Sequence, residues 1–110
     1  MDQGEYVRRV LETYRATPGT CGAARSPDRL LAAQLYERGV PFESVENALT
    51  LAAARRLIRP ADAPPLAPVR SLAYFLPVID EVLKLTIGPD YFRYLRHKIQ
   101  QLLANSHRAR

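Results

Sequence analysis

The sequence predicts an all-α fold, a compact bundle of about five helices built as one domain over residues 1–110. Three observations predict it. Apolar residues recur at helical spacing in five separate segments, and no stretch alternates apolar and polar residues long enough for a strand. Glycine and proline punctuate the chain between those segments. At 110 residues, with 47% hydrophobic and 25% charged residues, the chain is long enough to bury a core without disulfides or metal.

The first helix is expected over about residues 2–16. Asp2 is a good N-cap and Glu5 lies three residues on, the capping-box spacing. Tyr6, Val10 and Tyr14 share one face, with Leu11 beside them, and Arg8, Glu12 and Arg15 lie opposite. Residues 17–22, with Pro18, Gly19 and Gly22, break the helix. Ser26-Pro27-Asp28 then reads as serine cap, first-turn proline and first-turn acid, which starts a second helix over about residues 27–38. Gly39 sits where a left-handed residue closes a helix.

Val40-Pro41 opens a third helix, about residues 41–59. Its centre, Ala48, Leu49, Leu51, Ala52, Ala53 and Ala54, is small and apolar nearly all round, so it is expected at the middle of the bundle. Four prolines in residues 60–68 predict a stiff, extended strap over the bundle. A fourth helix is expected over about residues 69–85, with Leu72, Phe75, Leu76, Ile79, Val82 and Leu83 as its stripe and a kink or restart near Tyr74 forced by Pro77. Pro89-Asp90 starts a fifth helix, to about Ala104, with Phe92, Leu95, Ile99, Leu102 and Leu103 inward and residues 104–110 as a frayed basic tail.

Charge is unevenly placed. Residues 1–83 hold ten Lys/Arg against ten Asp/Glu, whereas residues 84–110 hold six against Asp90 alone, so the net charge of +5 lies in the last quarter. That segregation points to an anionic partner. The candidate nucleic-acid-binding residues are Arg93, Arg96, Lys98, Arg108 and Arg110 on the fifth helix and tail, with Tyr91 and Tyr94 interleaved, as in surfaces that track a phosphate backbone and stack on bases. Arg55, Arg56 and Arg59 form a second candidate, a phosphate-binding corner. The alternative is cations placed favourably at a helix C-terminus.

The second and third helices have the spacing of a helix-turn-helix, with Leu35 and Val45 flanking Gly39. Three readings stay open: a helical hairpin of the bundle, a groove-reading helix and a protein contact. Glu43 and Glu46 in the first turns of the third helix would meet a phosphate field badly.

Other chemistry has little support. Cys21 has no partner cysteine and reads as a small loop residue rather than a reactive thiol. His97 and His107 are spaced unlike metal ligands, and the adjacent Asp80 and Glu81 diverge on a helix. Without a nucleophile–base pair, phosphate loop or dinucleotide fingerprint, no enzymatic activity, metal or cofactor is expected. Met1-Asp2-Gln3-Gly4-Glu5 lacks the basic and apolar regions of a secretory leader, and every apolar run is too short to span a bilayer. A cytoplasmic protein with no membrane association is expected.

Much of the chain resembles a group of short, uncharacterised bacterial helical proteins. The residues that carry the resemblance are Arg29-Leu30-Leu31-Ala32, Leu35-Tyr36-Glu37-Arg38-Gly39-Val40-Pro41, Val45-Glu46-Asn47-Ala48-Leu49, Leu51-Ala52-Ala53-Ala54-Arg55-Arg56 and the run from Val69 to Glu81. Residues 28–81 are more loosely similar to helical segments of replication and mobile-element proteins, where a Gly-Val-Pro hairpin precedes an Arg-Ser-Leu-x-Tyr helix. That resemblance implies an association with DNA-handling systems and carries over no catalytic or binding residue. The expected function is therefore a small non-enzymatic nucleic-acid-binding or accessory protein that contacts DNA or RNA phosphates. The alternative is a protein–protein interaction module or homodimer.

Overall fold

The computed structural model describes residues 1–60, 62–85 and 88–108, with side chains through Asn105. Five α-helices and one short 3₁₀ turn account for the regular structure of those residues: α1 (Gln3–Ala16), α2 (Ser26–Glu37), α3 (Phe42–Leu57), the 3₁₀ turn (Leu72–Phe75), α4 (Leu76–Lys84) and α5 (Pro89–Arg108). The all-α bundle is as predicted, with no strand among the described residues.

Asp2 caps α1, its Oδ1 accepting the Glu5 N–H at 2.8 Å. The predicted face is buried: Tyr6, Val7, Val10, Leu11 and Tyr14. Tyr6 donates its hydroxyl proton to the Val40 carbonyl at 2.8 Å, which fastens α1 to the turn between α2 and α3.

The start of α2 differs from expectation. Ser26 is its first helical residue, and Arg25 occupies the cap position with an extended backbone. The cap bond comes from inside the helix: Asp28 reaches back to accept the Arg25 N–H at 2.9 Å. Its other oxygen accepts the Leu72 N–H, 44 residues away, at 2.8 Å. Asp28 is thereby held almost completely buried, at 3% exposure. Pro27 is tolerated because helical N–H groups in the first turn have no partner to lose. The end of α2 is as predicted. Gly39 has a φ of +74°, the Val40 N–H reaches the Leu35 carbonyl at 3.1 Å, and the Gly39 N–H reaches Tyr36 at 3.0 Å. That pair of bonds is a Schellman closure, and Val40 and Leu35 are both buried beside it.

Helix α3 is the central element. Val45, Ala48, Leu49, Leu51, Ala52, Ala53 and Ala54 are buried on it, and α1, α4, α5 and the 3₁₀ turn all pack against it. The small side chains let those neighbours approach from several sides. Packed this way, the third helix is an element of the bundle, with Glu43 exposed and Ser44, Glu46 and Asn47 half-buried in its first turns.

The segment expected as a helix from Val69 is instead an extended residue, a 3₁₀ turn and then α4. Val69 pairs with the loop after α1: its N–H donates to the Gly19 carbonyl at 2.7 Å, and its carbonyl accepts the Cys21 N–H at 2.9 Å. Pro77 explains the restart. Its ring excludes the preceding helical turn, so it fits only in the first turn of α4, where the structure places it. Leu72, Phe75, Ile79 and Val82 are buried as expected, while Leu83 is exposed. At the far end α5 continues to Arg108, beyond the predicted stop at Ala104. Phe92, Leu95 and Ile99 are its buried stripe.

Candidate functional site

Arg55 and Arg56 lie in the last turn of α3 and Arg59 just beyond it. The structure brings all three to one open cleft of about 400 Å³, floored by Ala52, Leu66 and Val78 and walled by Tyr74. Each guanidinium has a different partner. Arg55 is bidentate to Glu81 of α4, at 2.8 and 2.5 Å, the strongest geometry open to a guanidinium and a carboxylate. That pairing pulls the Glu81 carboxyl below the ordinary glutamate pKa and raises that of Arg55.

Arg56 and Arg59 are held differently, by neutral oxygens of the strap and its flank. Arg56 donates to the Ala67 carbonyl at 2.7 Å and to the Tyr74 hydroxyl at 3.3 Å, with its guanidinium carbon 5.6 Å from the Tyr74 ring centre. Arg59 donates to the Pro64 carbonyl at 2.8 Å. Neither forms an ion pair among the described residues. The residues following α1 also shape this site. A Cβ at Gly19, where φ is +91°, would stand 3.1 Å from Arg56 Nε.

The cations of α5 do not converge on the cleft as a group. Arg96 turns inward and donates to the Asn47 side-chain carbonyl at 2.8 Å, with Glu46 at 3.5 Å. Arg93 pairs with Asp90 on its own helix at 2.9 Å. Lys98 is half-buried. The Arg108 side chain and the whole of Arg110 lie outside the described residues. Tyr91 and Tyr94 are exposed, at 47% and 57%, their ring centres 6.4 Å apart on the outer face of α5.

Tyr74 and Leu66 join the cleft without having been singled out from sequence. They lie 18 and 10 residues beyond Arg56, and no local pattern ties them to it. Asp80 and Glu81 diverge, to Arg38 at 3.3 Å and to Arg55. No group of three His, Cys, Asp or Glu residues placed to hold a metal ion occurs among the described residues, and no described helix is long and apolar enough to cross a membrane. No protein-family model, curated protein or solved structure matches the chain.

Proposed function

We propose that this chain is a small, non-enzymatic nucleic-acid-binding or accessory protein, working beside a replication or mobile-element system and contacting backbone phosphates. The observation that carries this reading is the state of Arg56 and Arg59. Each is fixed in place by carbonyl oxygens, which orient a guanidinium without neutralising it. A guanidinium has five N–H donors, so most remain for a phosphate. Tyr74, 47% exposed on the cleft wall, supplies a face for a base. The exposed tyrosines of α5, with Lys98 and the basic end of the chain, extend the surface. Arg55, Arg93 and Arg96 contribute less, because carboxylates already offset their charge.

The test is binding to a labelled mixed-sequence duplex and single strand across a salt series. Micromolar affinity that falls steeply with salt is expected. The double variant R56Q/R59Q is expected to lower the magnitude of the salt slope by about 2, one unit for each phosphate no longer neutralised. Absence of binding at low salt, or a slope unchanged by that variant and by removal of residues 105–110, overturns the proposal.

One observation favours a second reading. Leu83 and Leu85 at the end of α4 and Tyr91 and Tyr94 at the start of α5 are all exposed, and aromatic residues are frequent anchors of protein interfaces. A protein partner or a homodimer would cover them. Light scattering on the purified chain tests the homodimer: concentration-dependent dimerisation that disappears in Y91A/Y94A supports it, and a monomer at every concentration refutes it.

A further inference from the structure

A second cationic site, distinct from the proposed nucleic-acid surface, lies on the α1–α2 hairpin. An apolar groove of about 570 Å³ runs between these helices over Gly4, Val7 and Leu30. It adjoins a narrower cleft of about 170 Å³ lined by Arg8, Arg15 and Arg29, and Gly4 and Arg29 border both spaces. Arg8 is bonded to Glu12 at 3.0 Å, whereas Arg15 and Arg29 form no ion pair among the described residues. Leu30, 62% exposed, lines the groove beside Arg29 and gives it an accessible apolar edge.

Gly4 bears on the same feature. Within a helix, alanine is favoured over glycine, and a Cβ at Gly4 would meet only Asp2 Oδ1, at an ordinary 3.6 Å. The fold therefore does not require a glycine there. Its missing side chain keeps the floor of the groove open.

We infer that this groove docks an acidic amphipathic helical segment of a partner protein, with its apolar stripe along Val7 and Leu30 and flanking carboxylates on Arg15 and Arg29. Charge complementarity selects the occupant: two cations without carboxylates border an apolar trough, which suits acidic flanks on an apolar stripe. A nucleic acid would match the arginines but leave the trough uncovered.

The probe is a fluorescein-labelled peptide of about 15 residues, with leucines at i, i+3, i+4 and i+7 and glutamates flanking them, beside a scrambled peptide of equal composition. The full chain is expected to bind the patterned peptide at least about tenfold more tightly than the scrambled one. G4L fills the groove and R15E/R29E reverses the charge, and each is expected to weaken binding about tenfold or more while leaving the helical circular dichroism spectrum unchanged. R56Q/R59Q, in the other cleft, is expected to leave peptide affinity unchanged, so failure here is separate from failure of the nucleic-acid reading. Equal affinity for both peptides, no measurable binding, or full affinity in either hairpin variant overturns the inference. So does displacement of the patterned peptide by a mixed-sequence oligonucleotide that R15E/R29E no longer binds.

Discussion

Replacing Asp28 by alanine is expected to cost about 3 kcal/mol of folding stability. The carboxylate accepts two backbone N–H groups, from Arg25 at 2.9 Å and from Leu72 at 2.8 Å. Leu72 is fully buried, so water does not replace the missing acceptor there, and its N–H would be left orphaned. A hydrogen bond to an ionised group contributes about 1.5–3 kcal/mol. The Leu72 bond is assigned about 2 kcal/mol, near the middle of that range, and the partly buried Arg25 bond about 1 kcal/mol, the usual worth of a helix cap. Asp28→Asn keeps one acceptor oxygen but turns an amide N–H₂ toward the second donor, so its cost is about half that of alanine. Urea unfolding followed by circular dichroism at 222 nm reads both values, with an unchanged denaturant slope showing that compactness is unaltered. At about 4 °C or more per kcal/mol, the alanine variant melts about 12 °C lower. A loss below about 1 kcal/mol for alanine, or an asparagine variant equal to wild type, would refute the view that Asp28 joins the start of α2 to the 3₁₀ turn.

Gly19→Ala is expected to cost about 1–2 kcal/mol, because φ of +91° strains an L-residue and its Cβ would crowd Arg56 Nε at 3.1 Å; equal stability would show that the loop relaxes freely. Tyr14→Phe is expected to be neutral or stabilising by about 0.5–1 kcal/mol, since the buried hydroxyl has no hydrogen-bond partner, the Cys21 thiol adjoining it without hydrogen-bond geometry. Burial, then Asp28 and Cys21, push the Tyr14 pKa up to about 12, so the folded state holds that proton while the unfolded chain releases it near 10. Stability therefore falls as pH rises from about 10 through about 12, and the fall should be smaller in Tyr14→Phe. Arg55→Gln removes the partner that depresses the Glu81 pKa. The stability difference from wild type should be full above the ordinary glutamate value of 4.5 and vanish as pH falls through the lower folded value; a difference that persists in acid would refute the assignment.

Much of the fold was legible because local rules and tertiary needs coincide. The Gly39 closure of α2 requires only a residue that accepts positive φ and an apolar residue next to it, and both are contiguous in the chain. The alanine-rich centre of α3 announced a helix packed on several sides, and the structure covers it with three other helices. The misplacements share a cause in distant partners. Ser26 reads as the cap and Asp28 as a first-turn acid, yet Asp28 makes the capping bond to the Arg25 N–H while its other oxygen accepts the Leu72 N–H, 44 residues away. Val69 carries a helix-compatible pattern, yet its N–H and carbonyl are engaged by the loop at Gly19 and Cys21.

The arginines follow the same logic, with a consequence for function. The proline strap pairs little of its own backbone: among the described residues its internal bond is the Ala63 N–H to the Pro60 carbonyl, at 3.0 Å, and its four prolines have no N–H to donate. Its carbonyls at Pro64 and Ala67 are instead met by Arg59 and Arg56. Local reasoning assigned these cations either to the helix dipole or to a phosphate. The structure adds a third role, bracing the strap, that does not compete with the second. A neutral acceptor occupies one or two of five donors and removes no charge. The contact that orders the strap thus also fixes the orientation of each guanidinium before any anion arrives. Arg55 shows the contrast: its bidentate carboxylate uses the same planar fork that a phosphate would need. Neighbouring arginines of one helix end are therefore divided by partner chemistry, with carbonyl-held ones left cationic and the carboxylate-held one committed to joining α3 to α4.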